Sequence, residues 1–62
     1  GAPQNRMLSY MWFDIVASRT TGSLRHVAIL NRDQEKAFLT PTQITEAQQL
    51  AREWNAAHPR EP

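Results

Sequence analysis

The chain has 62 residues, a mass of 7.1 kDa and no cysteine, which leaves room for one small domain and excludes both a disulfide framework and a cysteine-held zinc site. Seven basic and six acidic side chains give a net charge of +1, without the clustered basic face of a DNA or membrane-surface binder, and 40% hydrophobic content is too high for a disordered tail. No apolar run approaches the roughly 18 residues of a membrane span, no segment reads as a signal peptide, and a start at Gly1 rather than Met points to an excised fragment or a processed product.

Gly1 to Asn5 reads as a loop broken by Pro3. From Arg6 to about Arg19 the spacing becomes helical, with Leu8, Met11, Trp12, Ile15 and Val16 recurring on one face. Tyr10, Phe13 and Ala17 fall on a second arc of the same helix. A helix apolar on two arcs expects neighbours on two sides. The break at Arg19 to Ser23 contains Gly22, free to adopt a positive φ, and Ser23, able to cap the helix that follows. That second helix runs to about Phe38. Its apolar arc is Leu24, Val27, Ala28, Leu30, Ala37 and Phe38, interrupted by Asn31, Gln34 and Glu35, with Ile29 pointing the other way.

The third helix has the clearest start signal. Thr40 stands at the N-cap, Pro41 at the first helical position, and Gln43 completes a Thr-x-x-Gln capping box. Leu39 and Ile44 occupy the two positions of a hydrophobic staple. Ile44, Ala47, Leu50, Ala51 and Trp54 form a single apolar stripe, through which Trp54 is expected to dock against the second helix. Pro59 ends this helix. The pattern therefore predicts an all-α chain: an inter-helix loop over 1–5, an antiparallel helix pair over 6–38, a C-terminal capping helix over 39–58 and a disordered tail over 59–62. A two-sided helix followed by a one-sided helix suits the end of a stack, where the last helix turns a polar back to water.

Residue types that carry chemistry are sparse. His26 and His58 lie on different helices with no further ligand at metal-binding spacing. His58, near a helix C-terminus, suits the helix dipole when protonated. There is no nucleophile elbow and no glycine-rich phosphate loop. Asp14 and Glu46 are a carboxylate pair only if folding joins them at a cleft. The expectation is no catalytic residue, no metal and no cofactor. Leu39 to Trp54 also looks like the opening helix of resolvase-type helix-turn-helix domains, but no recognition helix follows it before Pro62. A small DNA-binding helical domain would rely on Arg25 and Arg52 and bind in a salt-dependent way. The expectation is no nucleic-acid partner and no membrane insertion.

Several segments in order resemble a SEL-one-like repeat, a relative of the tetratricopeptide repeat. Gly1-Ala2-Pro3-Gln4-Asn5 looks like the loop before that repeat's first helix, and Tyr10-Met11-Trp12-Phe13-Asp14 with Ala17 is similar to the first helix itself. Asn31-Arg32-Asp33, Leu39-Thr40-Pro41, then Ile44, Ala47, Leu50-Ala51-Arg52 and Trp54 resemble the closing segment of bacterial members. The turn at Arg19 to Ser23 is longer than the family's, and Ser9 and Ser18 stand where the family prefers Ala. The resemblance implies a fragment of an α/α solenoid, the last repeat plus its capping helix, in a non-catalytic scaffold or adaptor; the alternative is a purely structural end cap that touches no ligand. The resemblance also implies a periplasmic or envelope setting, which nothing in the chain itself specifies.

The implied partner is a protein: the preceding repeats, another protein, or a second copy in a homo-oligomer. The strip Met7, Tyr10, Asp14 and Ser18 mixes polar and apolar character and is required by neither packing arc. It is therefore the expected protein-binding surface. The second arc of helix one is expected to seek a neighbour outside the chain.

Overall fold

The computed structural model describes residues 2–59, with side chains from Asn5 onward. Three helices follow one another: α1 (Ala2–Arg19), α2 (Gly22–Lys36) and α3 (Pro41–Ala57). No strand occurs among the described residues, so the chain is all-α, a helical hairpin with a third helix added. The tail at Arg60–Pro62 and the first residue lie outside the described residues.

The start of α3 forms as the residues dictate. Thr40 Oγ1 accepts from the Gln43 backbone N–H at 3.1 Å, and Gln43 Oε1 accepts from the Thr40 backbone N–H at 2.9 Å. Both otherwise orphaned donors are thus satisfied, and Pro41 occupies a position that needs no N–H partner. Leu39 and Ile44 are both partly buried against the core, as the staple requires.

Three boundaries differ from expectation. The 1–5 loop is helical from Ala2 onward. Pro3 sits in the first turn, where a missing N–H leaves no bond unmade and the fixed φ suits a helix. At the second helix, Thr21 rather than Ser23 is the N-cap, and its side chain makes no capping bond. Gly22 turns the chain there with φ +65°, a backbone conformation that favours glycine. The helix then ends at Lys36, and successive i→i−3 bonds from Ala37, Phe38 and Leu39 tighten the exit.

α1 is the centre of the fold. It packs against both α2 and α3, which barely touch each other. The pairs Arg6–Glu35 and Asp14–Arg32 run in opposite senses, so α2 is antiparallel to α1. The pairs Tyr10–Gln48 and Ser18–Asn55 rise together, so α3 is parallel to α1. The second neighbour of helix one is thus this chain's own third helix. Trp54 accordingly docks against α1, where its ring meets Trp12 edge-on at 5.5 Å, and not against α2.

The core cluster contains Tyr10, Met11, Ile15, Ala47 and Ala51, with Met7, Leu39, Ile44, Leu50 and Trp54 around it. Ala17 and Ala28 are also buried. Alanine at these positions lets the helix axes approach closely. The expected inner arc of α2 faces outward instead: Leu24, Val27, Leu30 and Phe38 are between 51 and 69% exposed. The physical reason is that α2 is oriented by Ala28 and by the two ion pairs of Arg32 and Glu35, which turn its apolar arc sideways. Leu8, Trp12 and Val16, expected inside with Met11 and Ile15, are likewise exposed by 37 to 47%.

Two measurements check this packing. Thr40→Ala lowers the unfolding free energy in urea by about 1 kcal/mol through the lost cap. Trp54→Ala, which removes a half-buried indole, lowers it by about 2 kcal/mol; no change at Trp54 would mean that α3 is not held to α1.

Candidate functional site

The strip expected to bind a partner lies along the seam where the helices meet, with Tyr10 buried, Met7 and Asp14 partly buried and Ser18 exposed at its end. Met7, Tyr10, Asp14 and Ser18 share the side of α1 that faces the angle between α2 and α3. Tyr10 is 1% exposed, which removes it from any open surface. Its hydroxyl accepts from Gln48 Nε2 at 3.1 Å. Met7 packs against the core cluster. Asp14 accepts from Arg32 Nη1 at 3.0 Å, and Ser18 donates to the Ile15 carbonyl at 2.7 Å while accepting from Asn55 Nδ2 at 3.1 Å. The structure brings all four residues together, and each is used to hold helices to one another. Their polar character reads as surface only until Arg32, Gln48 and Asn55 are seen opposite them.

Electrostatics reinforce this seam. Partial burial pushes the Arg32 guanidinium down, but its bonds to Asp14 and Asp33 and the nearby Tyr10 more than offset that. Its pKa ends above the ordinary arginine value, so it stays a cation. Arg32 also reaches Asp33, which in turn meets Lys36 at 3.7 Å. A small cleft opens beside this pair, lined by Asp14, Ala17, Ser18, Arg25, Ile29 and Arg32.

A second cluster joins the C-terminal ends of α1 and α3. Arg19 Nε donates to Asn55 Oδ1 at 2.6 Å, a second guanidinium nitrogen donates to the His58 carbonyl, and the group lies 4.8 Å from the Trp54 ring. His58 stacks on Trp54 at 4.1 Å, with its Nδ1 2.9 Å from the Trp54 carbonyl. His58 is therefore a helix-end residue tied to its own helix. His26 is exposed on α2. Among the described residues no three His, Cys, Asp or Glu side chains gather as a metal cluster would require. Arg25 and Arg52 are exposed on separate helices, and among the described residues no helix is long and apolar enough to cross a membrane.

The feature that sequence reasoning misplaced is an open apolar face. The α1–α2 hairpin has two sides. One carries the cleft with Asp14, Ser18, Arg25, Ile29 and Arg32. On the other, the Arg6 guanidinium lies 3.6 Å over the Phe38 ring. Helical rotation from there brings Ser9, Trp12, Phe13 and Val16 onto that side of α1, and Leu24, Val27 and Asn31 onto that side of α2. Leu8 and Leu30 flank these strips. The signal was visible in the period of the α2 arc, but that period could not say whether the arc was covered.

If Tyr10 belongs to the interior, Tyr10→Phe lowers stability by about 1 kcal/mol and Tyr10→Ala by about 3 kcal/mol in chemical denaturation; near-neutral values for both would return it to the surface. Comparison with protein-family models, with curated proteins and with solved structures gives no match to this chain.

Proposed function

We propose that the chain is a non-catalytic protein-interaction module of the scaffold or adaptor kind, and that its contact surface is the open face of the α1–α2 hairpin. One observation carries the reading. Among the described residues, seven large hydrophobic ones (Leu8, Trp12, Val16, Leu24, Val27, Leu30 and Phe38) are exposed, against three in the interior (Tyr10, Met11 and Ile15). Scattered apolar residues are ordinary on a surface, but a grouped set marks an interaction site. Asp14, Glu35 and His58 have structural partners: Asp14 with Arg32, Glu35 with Arg6, and His58 on Trp54.

Support for the solenoid reading comes from helix directions. An antiparallel pair followed by a helix parallel to the first is the order of one repeat and the opening helix of the next. In that reading the chain is a last SEL-one-like repeat with its cap. The binding residues differ from the strip Met7, Tyr10, Asp14 and Ser18, which the fold uses internally.

The test is site-directed photo-crosslinking. A photoreactive amino acid at Val16 or Val27 gives discrete protein adducts in the expressing cells, and one at Gln49 on the outer side of α3 gives none. Absence of adducts from Val16 and Val27, or equal labelling from all three, would overturn the proposal.

A further inference from the structure

Building on that reading, we infer that the occupant of the open face is a second copy of this chain, the two hairpins packing face to face as a four-helix core with an α3 on each outer flank. Three observations select a copy over an unlike protein. The first is size. The exposed parts of the seven large hydrophobic residues amount to on the order of 600 Å² per chain, at the top of the range for the largest patch on ordinary monomers and close to the roughly 800 Å² per partner of a specific complex. The intervening Ser9, Asn31 and Gln34 supply the remainder.

The second observation is charge. Asn5, Leu8, Ser9, Trp12 and Val16 on α1, and Leu24, Val27, Leu30, Asn31 and Gln34 on α2, include no ionisable side chain. A two-fold axis brings each residue near its own counterpart or that of a neighbour, so any charge on the face would meet its like. An apolar centre without charge escapes that penalty, and the one guanidinium beside it, Arg6 over Phe38, is already paired with Glu35.

The third is the size of the interior. Four of the seven buried residues among those described are alanines (Ala17, Ala28, Ala47 and Ala51), so the lone chain encloses little apolar volume. Joining two hairpins adds a second core on the side that α3 leaves uncovered. Antiparallel hairpins with one bare apolar face form four-helix bundles by this route.

Sedimentation equilibrium of the full chain over a broad concentration series tests it. The expected result is a shift from 7.1 kDa towards twice that mass. The Val16→Glu/Val27→Glu pair, which places four carboxylates in the dimer core, weakens association by about a hundredfold or more while far-UV circular dichroism keeps its helical signal. Gln49→Glu, on the outer side of α3, leaves the mass shift intact. A wild-type chain that stays monomeric throughout overturns the inference without reference to any variant. If Val16 and Val27 then still crosslink other proteins, the interaction-module reading stands and only the second copy is lost; if they crosslink nothing, both fall. A folded Val16→Glu/Val27→Glu chain that dimerises as tightly as the wild type also overturns the inference.

Discussion

The inward strip of α1 is the constraint on which the molecule rests. α2 and α3 hardly meet, so each is placed only by what α1 offers it. One end of that offer is Tyr10, fully enclosed and bonded to Gln48; the other is Asp14, held by a guanidinium that remains charged. A buried phenol without its partner would carry the desolvation cost of an unmade hydrogen bond. None of the buried side-chain polar atoms among the described residues is left in that state. The strip therefore fixes rotation as well as position, because only one orientation of each neighbour satisfies it.

This explains which parts of the fold could be read from the residues alone. Three helices and the start of α3 follow from local chemistry: a Thr-Pro cap, a Gln three residues on, and an apolar stripe at helical spacing. Those signals lie within a few positions of one another. The rotation of α2 does not follow, because its determinants are Arg6–Glu35 and Asp14–Arg32, pairs separated by 29 and 18 positions. The same blindness affects Met7, Tyr10, Asp14 and Ser18. A polar residue looks solvated until a complementary group arrives from far along the chain. Ala28 is the converse case, a small residue among larger ones that turns out to be the contact point.

The residues of the open apolar face were thus legible as an arc but were expected to be covered. Leu24, Val27, Leu30 and Phe38 stand out by their period, and Trp12 and Val16 by theirs. Periodicity reports that an arc exists; the hydrogen bonds and ion pairs made elsewhere decide whether that arc is covered. In this chain α3 covers one flank of α1 and α2 another, and the remaining apolar flank is left over from both. The exposed apolar face is what the internal packing did not use.

The two attachments to α1 differ in kind. α3 is held by apolar contact, with Ala47, Ala51, Leu50 and Trp54 at the core, and by hydrogen bonds to uncharged groups, whereas α2 is held by Ala28 and by partly solvated ion pairs. Dissolved electrolyte screens the second attachment and hardly touches the first, and chilling weakens the first more than the second. Brine and cold accordingly pull on opposite arms of the same central rod, and the arm that brine loosens is the one bearing Leu24 and Val27.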